Sequence, residues 1–265
     1  MNDHRPVQFS HVAPAGAVPF DVDCLESEAV TRLFQEATTH ISGVKIEMIS
    51  IGEGSCKTKM HAAATVGIHR HQPTILFFES LTREERIEAI SHELGHLVLV
   101  YRFGLGLVGL RVPRHRSREE ALRFFPMLTR NWSYLLGQIP NTIHHLILCD
   151  YLKERYGITS ARHAHLLRLH FRNHEADISQ DEELSYARGL AAFEYEKLLG
   201  PIGRVINPKS QSPYFWKAYH AAEECFGRYH HPWIPAPSDY RGNILRFLEK
   251  LRYPRGNFVF FPQEE

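Results

Sequence analysis

The sequence predicts an α+β fold, on three observations. Three short alternating or apolar runs come early in the chain, a capped helix follows them directly, and most of what lies beyond carries helical spacing. At 265 residues and 43% hydrophobic content, the chain can bury a core of its own without a disulfide or a metal to hold it folded.

Taken in order, residues 1–24 read as an irregular arm. It carries Pro6, Pro14 and Pro19 and lacks an apolar core of signal-peptide length behind a basic start. Glu26–Thr39 reads as a helix, because Val30, Leu33, Phe34 and Ala37 recur at helical spacing. Gly43 closes that region. Val44–Ile51 then alternates as a strand does, with Gly52 and Gly54 marking a turn. Ala62–Ile68 and Thr74–Glu79 read as a hairpin. Thr82-Arg-Glu-Glu85 has the form of a capping box, and Ile87, Ile90, Leu94, Leu97, Val98 and Tyr101 follow at helical spacing. A helix over Arg83–Phe103, stopped by Gly104, is expected, with its second half buried. Further helices are expected at Ser117–Phe125, Thr142–Tyr156 after Pro140-Asn141, Thr159–Asn173, Asp181–Leu199, Pro213–Phe226 and Asp239–Leu251.

Composition removes several functions. Basic and acidic residues nearly cancel, 31 against 30, which argues against a dedicated nucleic-acid binder. The most apolar stretch, Leu94–Leu110, contains His96 and Arg102 and falls short of the ~20 residues a membrane span needs. Cys24, Cys56, Cys149 and Cys225 show no paired spacing, so reduced thiols in a cytoplasmic protein are expected rather than a zinc ribbon or a disulfide scaffold. Gly104-Leu-Gly-Leu-Val-Gly109 fits a dinucleotide-binding pattern, but it follows a helix and not a strand, so it fails in context. His163, His165, His170 and His174 with Arg162, Arg168 and Arg172 make a basic helix, read as a solvated face.

The chemistry sits in His92-Glu93-Leu94-Gly95-His96. Two histidines four residues apart lie about 40° apart around a helix and one turn along it, so both imidazoles can reach one metal. Glu93 is rotated about 100° from His92 and is placed to act as a general base on water instead of as a ligand. This is the HExxH pattern of metal-assisted hydrolysis.

On these residues Thr74–Tyr101 resembles the core of the zincin metallopeptidases, an edge strand followed by a helix carrying His-Glu-Leu-Gly-His. The resemblance implies Zn2+ on His92 and His96, an acid/base role for Glu93, and a small mixed sheet over the active-site helix. It covers about a third of the chain; with the helical spacing that follows, the chain reads as a metallopeptidase-like core over residues 25–175 and a helical extension over 176–265 that matches no named pattern. The resemblance also implies a peptide or protein substrate paired along Thr74–Phe78. The chain lacks the metzincin extension, since Leu97-Val-Leu-Val-Tyr follows His96.

For the third ligand two gluzincin-like options stay open. Glu120 opens Glu120-Ala-Leu-Arg-Phe, similar to a helix of short gluzincin-like peptidases. The other is Asn141-Thr-Ile-His-His-Leu-Ile-Leu-Cys-Asp150, an apolar helix that would bury His144 and His145. Buried imidazoles need a metal or a hydrogen-bond network, so this helix is favoured, with His145 ahead of His144. The competing function is a non-catalytic module that keeps the zincin fold and uses the helical C-terminal part to bind a protein partner. A third is a peripheral membrane protein using Leu97–Leu110.

Overall fold

The structure, a computed structural model, describes residues 18–41, 45–52, 64–69, 72–110, 130–172 and 181–261. Its fold is α+β, and the chain divides into two compact units. One is Met1–Arg102 with Tyr151–Arg162, and the other is Phe103–Asp150 with His163–Glu265.

The first unit is built on a four-stranded mixed sheet in the order β1-β2-β4-β3, comprising β1 (Val18–Pro19), β2 (Glu47–Ile51), β3 (Ala64–His69) and β4 (Gln72–Phe78). The expected hairpin is present as the antiparallel pair β3–β4, with Gly67 opposite Thr74. The expectation that Thr74–Phe78 is an edge is wrong. β4 pairs with β2 in parallel on its other side, with Ile49 opposite Leu76. Thr74-Ile-Leu-Phe-Phe is nearly all apolar, as suits a strand buried within a sheet. Among the described residues the open edges are β3 and the two-residue β1.

Helices α1 (Glu28–His40) and α2 (Arg83–Tyr101) pack against each other, and α2 also meets β3 and β4. Val30, Leu33, Ile51, Ile75, Phe77, Ile90, Leu94 and Val98 form the buried interior. The capping box forms as expected. The Glu85 amide donates to Thr82 Oγ1 (3.3 Å) and the Thr82 amide donates to Glu85 Oε2 (2.9 Å). A second polar anchor lies at Glu36, whose carboxylate accepts from the Tyr151 and Tyr156 hydroxyls and pairs with Arg102 and Arg155.

The second unit is mainly helical. It holds α3 (Arg130–Tyr156) as far as Asp150, most of α4 (Ala161–Arg172), and α5 (Glu182–Leu199), α6 (Pro213–Phe226) and α7 (Pro237–Lys250). The expected start of α3 after Pro140-Asn141 is wrong, because Pro140 lies inside the helix. A proline there removes one backbone donor. Leu135, Leu136, Ile139 and Ile143 around it are buried, and their packing carries the helix through. A two-stranded sheet, β5 (Leu107–Leu110) with β6 (Phe258–Phe261), also escaped the sequence reading. Gly104 has φ 68°, a conformation unfavourable to other residues, so it serves the chain's turn ahead of β5.

Among the described residues no cysteine is in a disulfide: Cys24 is exposed, Cys149 half-buried and Cys225 buried. Among the described residues no helix is long and apolar enough to cross a membrane. The expected Ser117–Phe125 helix, Gly43, Gly54 and Cys56 lie outside the described residues.

Helices α5 and α6 meet closely at Gly189, where an added Cβ would lie 2.3 Å from the Phe215 carbonyl oxygen. That atom belongs to a helix backbone, so relief requires the helices to separate. Gly189→Ala is therefore expected to lower stability by about 1–3 kcal/mol. Urea unfolding checks it: the midpoint should fall at constant slope. An unchanged midpoint contradicts the close approach.

Candidate metal centre

Helix α2 places the HExxH residues as its spacing requires. His92 is half-buried, and Glu93 and His96 are buried. The rings of His92 and His96 stand edge to face at 76°, with centroids 4.8 Å apart, and their Nε2 atoms come within 3.1 Å. Two nitrogens bound to a tetrahedral zinc at ~2.0–2.1 Å would be separated by about 3.3 Å. The two imidazoles thus already have the spacing of a shared ligand pair. Glu93 leaves α2 about 100° around the helix from His92 and is buried.

The second unit contains another set of buried polar groups. His144 and His145 are adjacent on α3 and have different surroundings. His144 Nε2 donates to the Leu105 carbonyl (2.9 Å), and its ring stacks on Tyr240 at 6.2 Å. Tyr240 in turn donates to the Gly106 carbonyl (2.7 Å). Burial pushes the His144 imidazole down from 6.5 to about 3, against the opposing pull of the Leu105 carbonyl. His144 is thus a neutral core histidine that holds the 104–106 turn.

His145 Nδ1 donates to Glu194 Oε1 (2.8 Å), and His163 Nε2 donates to the same oxygen (2.9 Å). The two rings lie 4.1 Å apart between centroids. Thr142 Oγ1 donates to the other oxygen, Glu194 Oε2 (3.1 Å), and itself accepts from Gln138 Nε2 (3.2 Å). Burial alone would raise the Glu194 carboxyl. The bonds and charge of His145 and His163 outweigh it and hold the carboxyl well below the usual carboxylate range. Burial pushes His145 down, and His163 beside it adds to that shift. With Nδ1 carrying the proton toward a carboxylate, the lone pair of neutral His145 is on Nε2.

These are buried His and Glu groups that could hold a metal ion. In the second unit the ligand atoms of His145, His163 and Glu194 lie within 4.8 Å of one another. Of the predicted residues, His92, Glu93 and His96 stand together on α2, and His145 is bonded as a metal-ligating histidine commonly is. Glu120 and His174 lie outside the described residues.

Two residues escaped the sequence reading. His163 was placed on a solvated face, yet it is half-buried against Glu194, while His165 and Arg168 are exposed. Glu194 was not singled out, although a carboxylate inside Gly189-Leu-Ala-Ala-Phe-Glu194-Tyr invites the same burial argument that found His145. Compared with protein-family models, with curated proteins and with solved structures, the chain matches none of them.

The depressed His144 value gives a pH dependence. Between 6.5 and about 3 the unfolded chain takes up a proton there that the folded chain refuses. The stability contribution is therefore complete above the unfolded value and is lost as pH falls, at up to about 1.4 kcal/mol per pH unit. His144→Gln keeps an N–H for Leu105 and removes the titration. Urea midpoints measured from pH 7.5 down to 4.5 should fall less steeply in the variant than in the parent. Equal slopes contradict a neutral buried His144.

Proposed function

We propose that the protein is a zinc-dependent peptide-bond hydrolase of zincin type. The observation that carries this reading is the 3.1 Å between His92 Nε2 and His96 Nε2 on a buried helix that also carries Glu93. In this reading His92, His96 and His145 hold the ion. Support for His145 over His144 comes from their bonds. His144 Nε2 is committed to a backbone carbonyl, whereas His145 has its Nδ1–H fixed on Glu194, the tautomer in which Nε2 is the ligating nitrogen.

Zinc supplies Lewis acidity at such a site, making water a nucleophile near neutral pH and polarising a carbonyl. Glu93 takes the proton of the attacking water and passes it to the departing amine nitrogen, so it works as base and then as acid. A substrate peptide in extended form adds to the edge strand β3, where backbone pairing needs no particular sequence.

Reconstituted protein is expected to retain about one zinc per chain after removal of excess metal. Glu93→Gln should keep that metal and lower hydrolysis of a peptide library by about 10²–10⁴-fold. Cleavage at the parent rate by Glu93→Gln would falsify the assigned mechanism. Retained zinc with no cleavage by the parent would favour a non-catalytic metal-holding module.

A further inference from the structure

We propose that Glu194 is a positioning residue for the metal. It fixes His145 as an Nε2 donor and is itself held in place by Thr142 and by His163. The proposal rests on the zinc reading given above.

Gln138, Thr142 and His145 are spaced i, i+4, i+7 and share one face of α3. They form a directed chain: Gln138 Nε2 donates to Thr142 Oγ1, Thr142 donates to Glu194 Oε2, and Glu194 Oε1 accepts from His145 Nδ1. The second donor to Oε1 comes from another helix, His163 on α4. Both carboxylate oxygens are therefore bonded, and the carboxylate plane is fixed by groups from two helices.

This arrangement exceeds what core stability needs. A carboxylate with 1% of its surface exposed carries a large desolvation penalty, and an apolar side chain of similar size would fill α5 more cheaply. What the carboxylate adds is direction. An imidazole whose Nδ1–H is bound to a carboxylate has its tautomer set, its ring rotation restricted and its Nε2 made more basic. A simple structural histidine is served by a backbone carbonyl, as the adjacent His144 is. The same helix thus carries both solutions side by side, and the costlier one belongs to the residue in the ligand role.

His163 has a separate part. Its N–H shares Oε1 with His145 and is a second donor to the buried carboxylate. It supports the carboxylate and is not a ligand.

The test is zinc affinity by chelator competition, joined to two spectroscopic readouts. Glu194→Gln should weaken zinc binding by about 10–100-fold and shift the visible spectrum of the cobalt(II)-loaded protein, with far-ultraviolet circular dichroism unchanged. Thr142→Val should weaken binding less, because Glu194 keeps its charge. Nitrogen-15 NMR of histidine in the parent protein needs no variant to fold. It should report His145 protonated on Nδ1, with the Nε2 resonance responding to zinc.

Unchanged affinity and cobalt spectrum in Glu194→Gln, while His92→Ala loses the metal, would overturn the positioning role and leave the zinc reading standing. A zinc response at His145 Nδ1 would also overturn it. If His163→Ala and His145→Ala both remove the metal while His92→Ala retains it, the ion sits among His145, His163 and Glu194, and Glu194 is a ligand. A parent protein that binds no zinc overturns both readings.

Discussion

The bond from His145 Nδ1 to Glu194 Oε1 organises the interior of the second unit. It ties α3 to α5, and His163 brings α4 to the same oxygen. Around it the unit is apolar, with Leu146, Ile147, Leu190, Ala192 and Phe193 buried. In such surroundings each imidazole or carboxylate must be met by a specific partner or the fold is penalised by several kcal/mol or so. The positions of three helices therefore follow from one carboxylate as much as from hydrophobic contact.

The first unit solves the same problem at Glu36 with a different outcome. There the carboxylate is met by two guanidinium groups and two phenol hydroxyls. Arginine stays charged, so the negative charge of Glu36 is fully answered and nothing about the cluster is poised to change. Glu194 is answered by imidazoles, each of which has a second ring nitrogen. Tyrosine and arginine around a carboxylate lock a fold together, whereas histidines around a carboxylate also leave lone pairs that can bind a metal.

What could be read from the sequence follows the range of each interaction. The helix carrying His92, Glu93 and His96 was legible because its signals are local: Thr82 and Glu85 set its start, and the ligand pair is one turn apart. The α+β class was legible for the same reason. The place of β4 in the sheet was not, since the β2–β4 pairing joins residues as far apart in sequence as Glu47 and Thr74. The β5–β6 pair joins Leu107 to Phe261, too distant for any local pattern, and each strand is only four residues long. Pro140 was read as a boundary because local chemistry makes it one, and burial of the surrounding leucines and isoleucines prevailed. His145 emerged from a burial argument, but its partner Glu194 lies 49 residues away on another helix and appears only once the fold is known.

The central claim is that imidazole nitrogens on α2 hold a zinc ion whose remaining position is open to water. X-ray absorption at the zinc edge measures this most directly on the reconstituted protein. The account predicts a first shell of three nitrogens and one oxygen at about 2.0–2.1 Å, with the outer-shell scattering pattern of imidazole, and loss of that pattern in His92→Ala. A first shell containing sulfur at about 2.3 Å, or an unchanged imidazole shell in His92→Ala, would contradict it.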